Sequence, residues 1–266
     1  MGFKSILRGE SGLIETIYGD LRGLKPNQLK QLQRLYHQRL PGDRFTTPEF
    51  AQRLAAISTD LGQPLCLYLN RRGQVIRVGV GSPRQTQIPP IELPRYGAER
   101  LSGIRCIATQ LKQTPPSTSD LTAMAMQRLD ALVLVTLSGE GFERRGGGAT
   151  GYIRQLYLAH LIPHPEARWT VSDALSLETV AQQDFVERTE ALEAEFRRVF
   201  VAQQVDTDHD RVIVVGLVTG KLSKSQFRYS LMEVERLVET AGGEVLETLS
   251  QRRDRPHPQT DRKSVV

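Results

Sequence analysis

Arg211-Val-Ile-Val-Val-Gly-Leu-Val218 is an almost unbroken apolar run. A strand that reads this way expects to be covered on both faces, as in a parallel sheet flanked by helices. Ser223-x-x-Gln226 follows as a helix start of capping-box type. Phe227, Leu231, Val234, Val238 and Ala241 then recur at helical spacing, Gly242-Gly243 ends the helix, and Glu244-Val-Leu-Glu-Thr-Leu249 reads as a second strand. Strand, helix and strand of this length predict a right-handed βαβ unit. Such a unit needs further strands and helices to bury its sheet. The seventeen residues after Leu249 are mostly polar, so the domain is expected to be incomplete.

Working back from it, Thr207-Asp-His-Asp210 is a short polar joint, preceded by a long helix that Asp184-x-x-Glu187 can cap and that Leu192, Phe196, Val199 and Phe200 stripe. Ala131-Leu-Val-Leu-Val-Thr-Leu137 is a second doubly buried strand, with further strands expected at Ile104–Ala108 and Ile153–Leu161. Leu65–Leu69 and Gln74–Val80 flank Asn70-Arg-Arg-Gly73 as a hairpin. Helices are predicted from Pro26, with Leu29, Leu32, Leu35 and Tyr36 on one face and Pro41-Gly42 ending it. Others are predicted from Thr47-Pro48 to Gly62 and over Ser119–Arg128. Pro83 to Pro94 reads as an extended stretch, and Gly139 to Gly151 as a mobile loop. The fold class is α/β: an α+β region over residues 1–205, the opening of an α/β domain over 206–260, and a divergent tail over 261–266.

The 266 residues are 39% hydrophobic and 24% charged, which excludes a disordered chain, and no apolar run reaches the length of a membrane span. No signal-peptide core is present either, so a cytoplasmic location is expected. Cys66 and Cys106 sit in apolar runs and read as buried core thiols. The net charge of +5 lies wholly in residues 1–205, because 206–266 hold ten basic and ten acidic side chains. Arg22, Lys25, Lys30, Arg34 and Arg39 form a stretch free of acidic residues, which suits a polyanion partner such as RNA.

No catalytic, cofactor-binding or metal motif is complete. The glycine tract after Leu137 has no Lys and lacks dinucleotide spacing, and Gly216-Leu-Val-Thr-Gly-Lys-Leu-Ser223 is one residue short of a P-loop, with Leu222 where the hydroxyl belongs. The five histidines are scattered without metal-ligand spacing and read as surface or cap residues.

Ile104-Arg-Cys-Ile-Ala-Thr-Gln110 followed by Ser117 and Asp120 at a helix start resembles the outline of the JAB/MPN metalloproteases, over about residues 62–137. That family places two zinc-ligating histidines where this chain has Ala108 and Gln110. The resemblance therefore implies a fold without its metal and, as an alternative function, a protein-binding domain.

The last third resembles an HflX-type GTPase. Asp210–Val218, the helix Ser230–Val245 with its Thr-Ala-Gly-x-x-Val ending, and Gln251-Arg-Arg-Asp-Arg-Pro-His-Pro-Gln-Thr260 follow that family's order. Gly23–Lys30, Arg71–Arg77 and Arg144–Gly151 resemble the N-terminal extension of its cyanobacterial members. In the family a Gly-Lys turn, a helical hairpin and the GTP-binding domain come next, whereas this chain reads Asp261-Arg-Lys-Ser-Val-Val266. The resemblance implies a truncated, frame-shifted or deliberately shortened product that should not hydrolyse GTP by itself; GTP and Mg²⁺ would belong to the full-length family. It also implies a partner, the ribosomal large subunit and its rRNA. Candidate nucleic-acid contacts are Lys25, Lys30 and Arg34 on the first helix, Arg144 and Arg145 in the glycine loop, and Arg252, Arg253 and Arg255 in the tail.

Overall fold

The computed structural model describes residues 16–94, 97, 99–143, 149–164, 167–206, 210–219 and 223–253. The fold is mixed α/β, in two compact units, Met1–Phe200 and Val201–Val266.

The first unit is built on a seven-stranded mixed sheet. Its strands in chain order are β1 Ile17–Gly19, β2 Leu65–Asn70, β3 Val75–Val80, β4 Ile104–Gln110, β5 Ala131–Glu143, β6 Ala149–Leu161 and β7 Trp169–Val171. Their spatial order is β1-β3-β2-β4-β5-β6-β7. The β1–β3 and β4–β5 pairs are parallel and the others antiparallel. Successive side chains on a strand point to opposite faces, and both faces are covered. Leu65, Leu67 and Leu69 of β2 join Val133 and Val135 of β5 in one core, beneath α1 Pro26–Gln33 and α2 Pro48–Leu61. Cys66, Tyr68, Cys106 and Leu132 point the other way, into a second core with Leu121 and Met124 of α4 Thr118–Met126 and Leu192 of α6 Phe185–Asp206. This double cover explains why β2, β4 and β5 read as continuous apolar runs.

Local signals work as expected at several helix ends. Thr47 Oγ1 accepts the Phe50 N–H at 3.3 Å to start α2, and Gly62, at φ 63°, ends it in the left-handed conformation. Asp184 accepts the Glu187 N–H at 3.0 Å to start α6. The first helix stops earlier than Pro41-Gly42, passing into a 3₁₀ turn over Arg34–His37.

Two expectations are corrected. Pro83–Pro94 is not extended: it holds a short helix, α3 Pro83–Thr86, and a 3₁₀ turn, Pro90–Glu92. Ser82 and Gln85 form a capping box around Pro83, so proline here occupies the first helical turn, where its missing N–H costs nothing. Nor is Gly139–Gly151 a loop throughout. β5 continues to Glu143 and β6 begins at Ala149, with Phe142 opposite Thr150, so the tract is mostly hairpin; residues 144–148 lie outside the described residues. Three short elements, β1, β7 and α5 Leu177–Gln182, have no counterpart in the sequence reading.

The second unit contains β8 Arg211–Thr219, α7 Lys224–Thr240 and β9 Glu244–Arg253. β8 and β9 pair in parallel, as the βαβ reading requires. The Ser223–Gln226 capping box starts the helix. Gly216 lets α7 come close, since a Cβ there would lie 2.6 Å from Phe227 Cζ and 2.7 Å from Leu231 Cδ2.

Candidate functional site

The basic residues singled out in the sequence fall in three places. Lys25 is the N-cap residue of α1, Lys30 lies in its last turn and Arg34 follows immediately, all three exposed. Lys30 and Arg34, four residues apart, project from one side of the helical segment. The charge stretch is weaker than its composition suggests at its ends. Arg22 is paired with Asp20 at 2.7 Å, and the Arg39 guanidinium donates to the Arg72 carbonyl. Arg144, Arg145 and Arg255 lie outside the described residues. Arg252 and Arg253 were expected in a tail, but their backbone belongs to β9, opposite Val218 and Thr219. Their side chains are outside the described residues. Lys25, Lys30 and Arg34 are thus the candidates with described surroundings.

At the end of β4, Gln110 ties down the following loop, donating from Nε2 to Lys112 O and Thr114 O at 2.9 Å. Ser117 Oγ donates to Asp120 Oδ2 at 2.6 Å and accepts the Asp120 N–H, so the pair caps α4. Ala108 is buried in the second core. Among the described residues no three His, Cys, Asp or Glu side chains stand close enough to hold a metal ion.

Cys66 and Cys106 are both buried on adjacent strands, their sulfurs 3.2 Å apart. Burial pushes the Cys106 thiol well up, reinforced by its bond to Cys66.

The most elaborate polar arrangement was not anticipated. Arg71, in the β2–β3 turn, reaches Asp130 at 2.7 Å and Glu193 of α6 at 2.6 Å. Gly103 N–H donates to Asp130 and Leu101 N–H to Glu193. Burial raises the Asp130 carboxyl against the pull of Arg71 and Gly103. For Glu193 burial acts upward too, but Arg71, Leu101 N–H and Arg100 outweigh it and its carboxyl is lowered. Nearby, Arg105 is fully buried, its guanidinium 4.4 Å from the Phe185 ring and donating to Pro41 O and Gly42 O. Burial pulls it down to about 10. These arginines join elements 59 or more residues apart in sequence, which no local spacing reveals.

The second unit has a different chemistry. Val214 and Val218 of β8 pack under α7, while Ile213, Val215 and Leu217 point from the opposite face of the strand and are exposed. Leu249 of β9, opposite Val215 in the register, extends that apolar face. No helix among the described residues is long and apolar enough to cross a membrane.

No family model matches the chain, and no solved structure matches it either. A segment of 51 residues, 19% of the chain, is 43% identical to GTPase HflX of Flavobacterium psychrophilum and spans 12% of that protein's length. Over that segment the chain is distantly similar to an HflX GTPase.

Proposed function

We propose that the chain is an HflX-related fragment acting as a cytoplasmic accessory module that binds the ribosomal large subunit through its rRNA, without catalysis of its own. The observation that carries the reading is the 43% identity to a GTPase HflX over 51 residues. The parallel strand–helix–strand unit at 211–253 and the exposed Lys25, Lys30 and Arg34 are consistent with it. Neither glycine-rich run has the spacing a P-loop needs, so GTP and Mg²⁺ binding are assigned to the full-length family and not to these residues.

Contacts to phosphates release counterions, and binding then falls steeply with salt. Co-sedimentation with purified large subunits should fall sharply between about 50 mM and about 200 mM salt. Lys25→Glu, Lys30→Glu and Arg34→Glu together should reduce pelleting further at the lower salt. Absence of pelleting at low salt, or pelleting indifferent to salt and to the triple substitution, would overturn the proposal.

A further inference from the structure

Where the β2–β3 turn meets the segment leading into β4, the first unit contains a cavity of about 480 Å³. This is within the range of small-molecule sites, about 300–1,000 Å³. Arg71, Arg72 and Arg100 line it, with Ser102 and, on an apolar side, Ile76.

Arg71 is committed to Asp130 and Glu193, and Arg77 to Glu92, which also borders the cavity. Arg72 and Arg100 are exposed, and neither guanidinium makes an ion pair or hydrogen bond among the described residues. Of the lining residues three are arginines, Arg71, Arg72 and Arg100, and two are carboxylates, Glu92 and Glu193, so the wall carries net positive charge. Ser102 is only 5% exposed, yet its Oγ has no hydrogen-bond partner among the described residues. A buried hydroxyl left unmatched is costly, and such groups call for an explanation.

We infer that this cavity binds a small phosphorylated molecule, with Arg72, Arg100 and the Ser102 hydroxyl donating to the phosphoryl oxygens. Three donor groups suit the three terminal oxygens of a phosphate monoester, and the guanidinium fork is suited to phosphate. Arg71 touches the cavity from a fixed position, because two carboxylates hold it; it shapes the wall and adds positive potential. Ile76, 42% exposed, offers apolar contact to the organic part of the ligand. The concave shape favours a small molecule over a polynucleotide track. This inference does not depend on ribosome binding.

Isothermal titration of the whole chain with ribose 5-phosphate and with AMP tests it, using inorganic phosphate, unphosphorylated ribose and a single-stranded RNA oligomer for comparison. A phosphorylated probe should bind saturably, with ribose silent. Arg72→Gln with Arg100→Gln should weaken the binding by about tenfold or more, as expected for lost charge-assisted bonds. Ser102→Ala should weaken it several-fold while leaving the melting temperature unchanged or raised, since it removes a hydroxyl that has no partner in the free protein. Both arginines are exposed, so the double variant should fold; circular dichroism verifies this. The inference fails if neither ribose 5-phosphate nor AMP binds saturably, or if the double variant binds them as well as the parent does. It fails equally if only the RNA oligomer binds.

Discussion

β5 of the first unit and β8 of the second are near-identical in character, each an apolar run of Val and Leu, yet they end in opposite circumstances. Every residue from Ala131 to Leu137 is buried, between α1 and α2 on one face and α4 and α6 on the other. On β8 only the alternate residues under α7 are buried; Val215 is 71% exposed and Ile213 54%. An apolar strand therefore states a demand for cover on both sides. Whether the rest of the chain meets the demand is a property of topology, and here it is met along Ala131–Leu137 of β5 and not along β8.

The largest expected effect follows from breaking the ion network that closes the first unit. Arg71→Met leaves Asp130 fully buried without its cation, a loss on the order of 3–5 kcal/mol for a broken buried pair. Trp169, the only tryptophan, belongs to the first unit, so its fluorescence in a urea titration reports that unit alone. A fall below about 1 kcal/mol would show that the network behaves as a surface pair.

Leu134→Ala should come next. The side chain is 2% exposed in the second core, and truncation there costs about 2–5 kcal/mol through lost transfer energy and the cavity left behind. The same titration reads it. Leu217→Ala on β8 removes the same atoms from an exposed position and should cost far less, which circular dichroism can follow. Equal losses at the two leucines would erase the distinction between the units.

How much of this contrast the sequence revealed depends on the distance over which each signal acts. Strand and helix identity for β2, β4, β5, α2 and α7 followed from periodicity within one element, and the α2 ends from Thr47 and Gly62. Pro83–Pro94 reads as extended because of its prolines, although Ser82-Pro-Arg-Gln85 carries a legible capping box. The glycine tract reads as a loop, but in its described parts pairing across a hairpin overrides the low strand preference of glycine. For the candidate sites the limit was more severe. Exposure of Lys25, Lys30 and Arg34 could be inferred from the apolar face of α1. By contrast, the union of Arg71 with Asp130 and Glu193, or of Arg72, Arg100 and Ser102 around one cavity, arises only when the sheet assembles.

A pH titration sharpens the comparison from another side. His160, on β6, reads from the sequence as a surface or cap residue; burial, with Arg188 beside it, pulls its imidazole from 6.5 down to about 4. The unfolded chain therefore binds a proton between those values that the folded unit refuses. Stability is fully present above pH 6.5 and is lost as pH falls toward the folded value. The loss is at most about 3 kcal/mol, and smaller in practice because the ring is partly solvated. Urea titrations at pH 7 and pH 4.5, followed by Trp169, should show this loss in the parent and a flatter response in His160→Gln. Identical slopes would mean that the ring is solvated after all.

The smallest effect is expected where exposure is greatest. Val215→Lys puts a charge on the face of β8 that carries Val215, itself 71% exposed. A surface substitution of this kind changes stability by no more than about 0.5 kcal/mol. Hydrogen exchange over 211–219 measures it, since amides in a two-stranded sheet under one helix respond directly to local opening. The alternative outcome is equally informative. If that face is covered in solution, the substituted Lys would have to be buried among Ile213, Leu217 and Leu249, and exchange would rise by much more than such a surface change allows. Unchanged exchange therefore leaves β8 as a strand whose second face is open to water, while a large increase shows that in solution the two units are alike in having both faces covered.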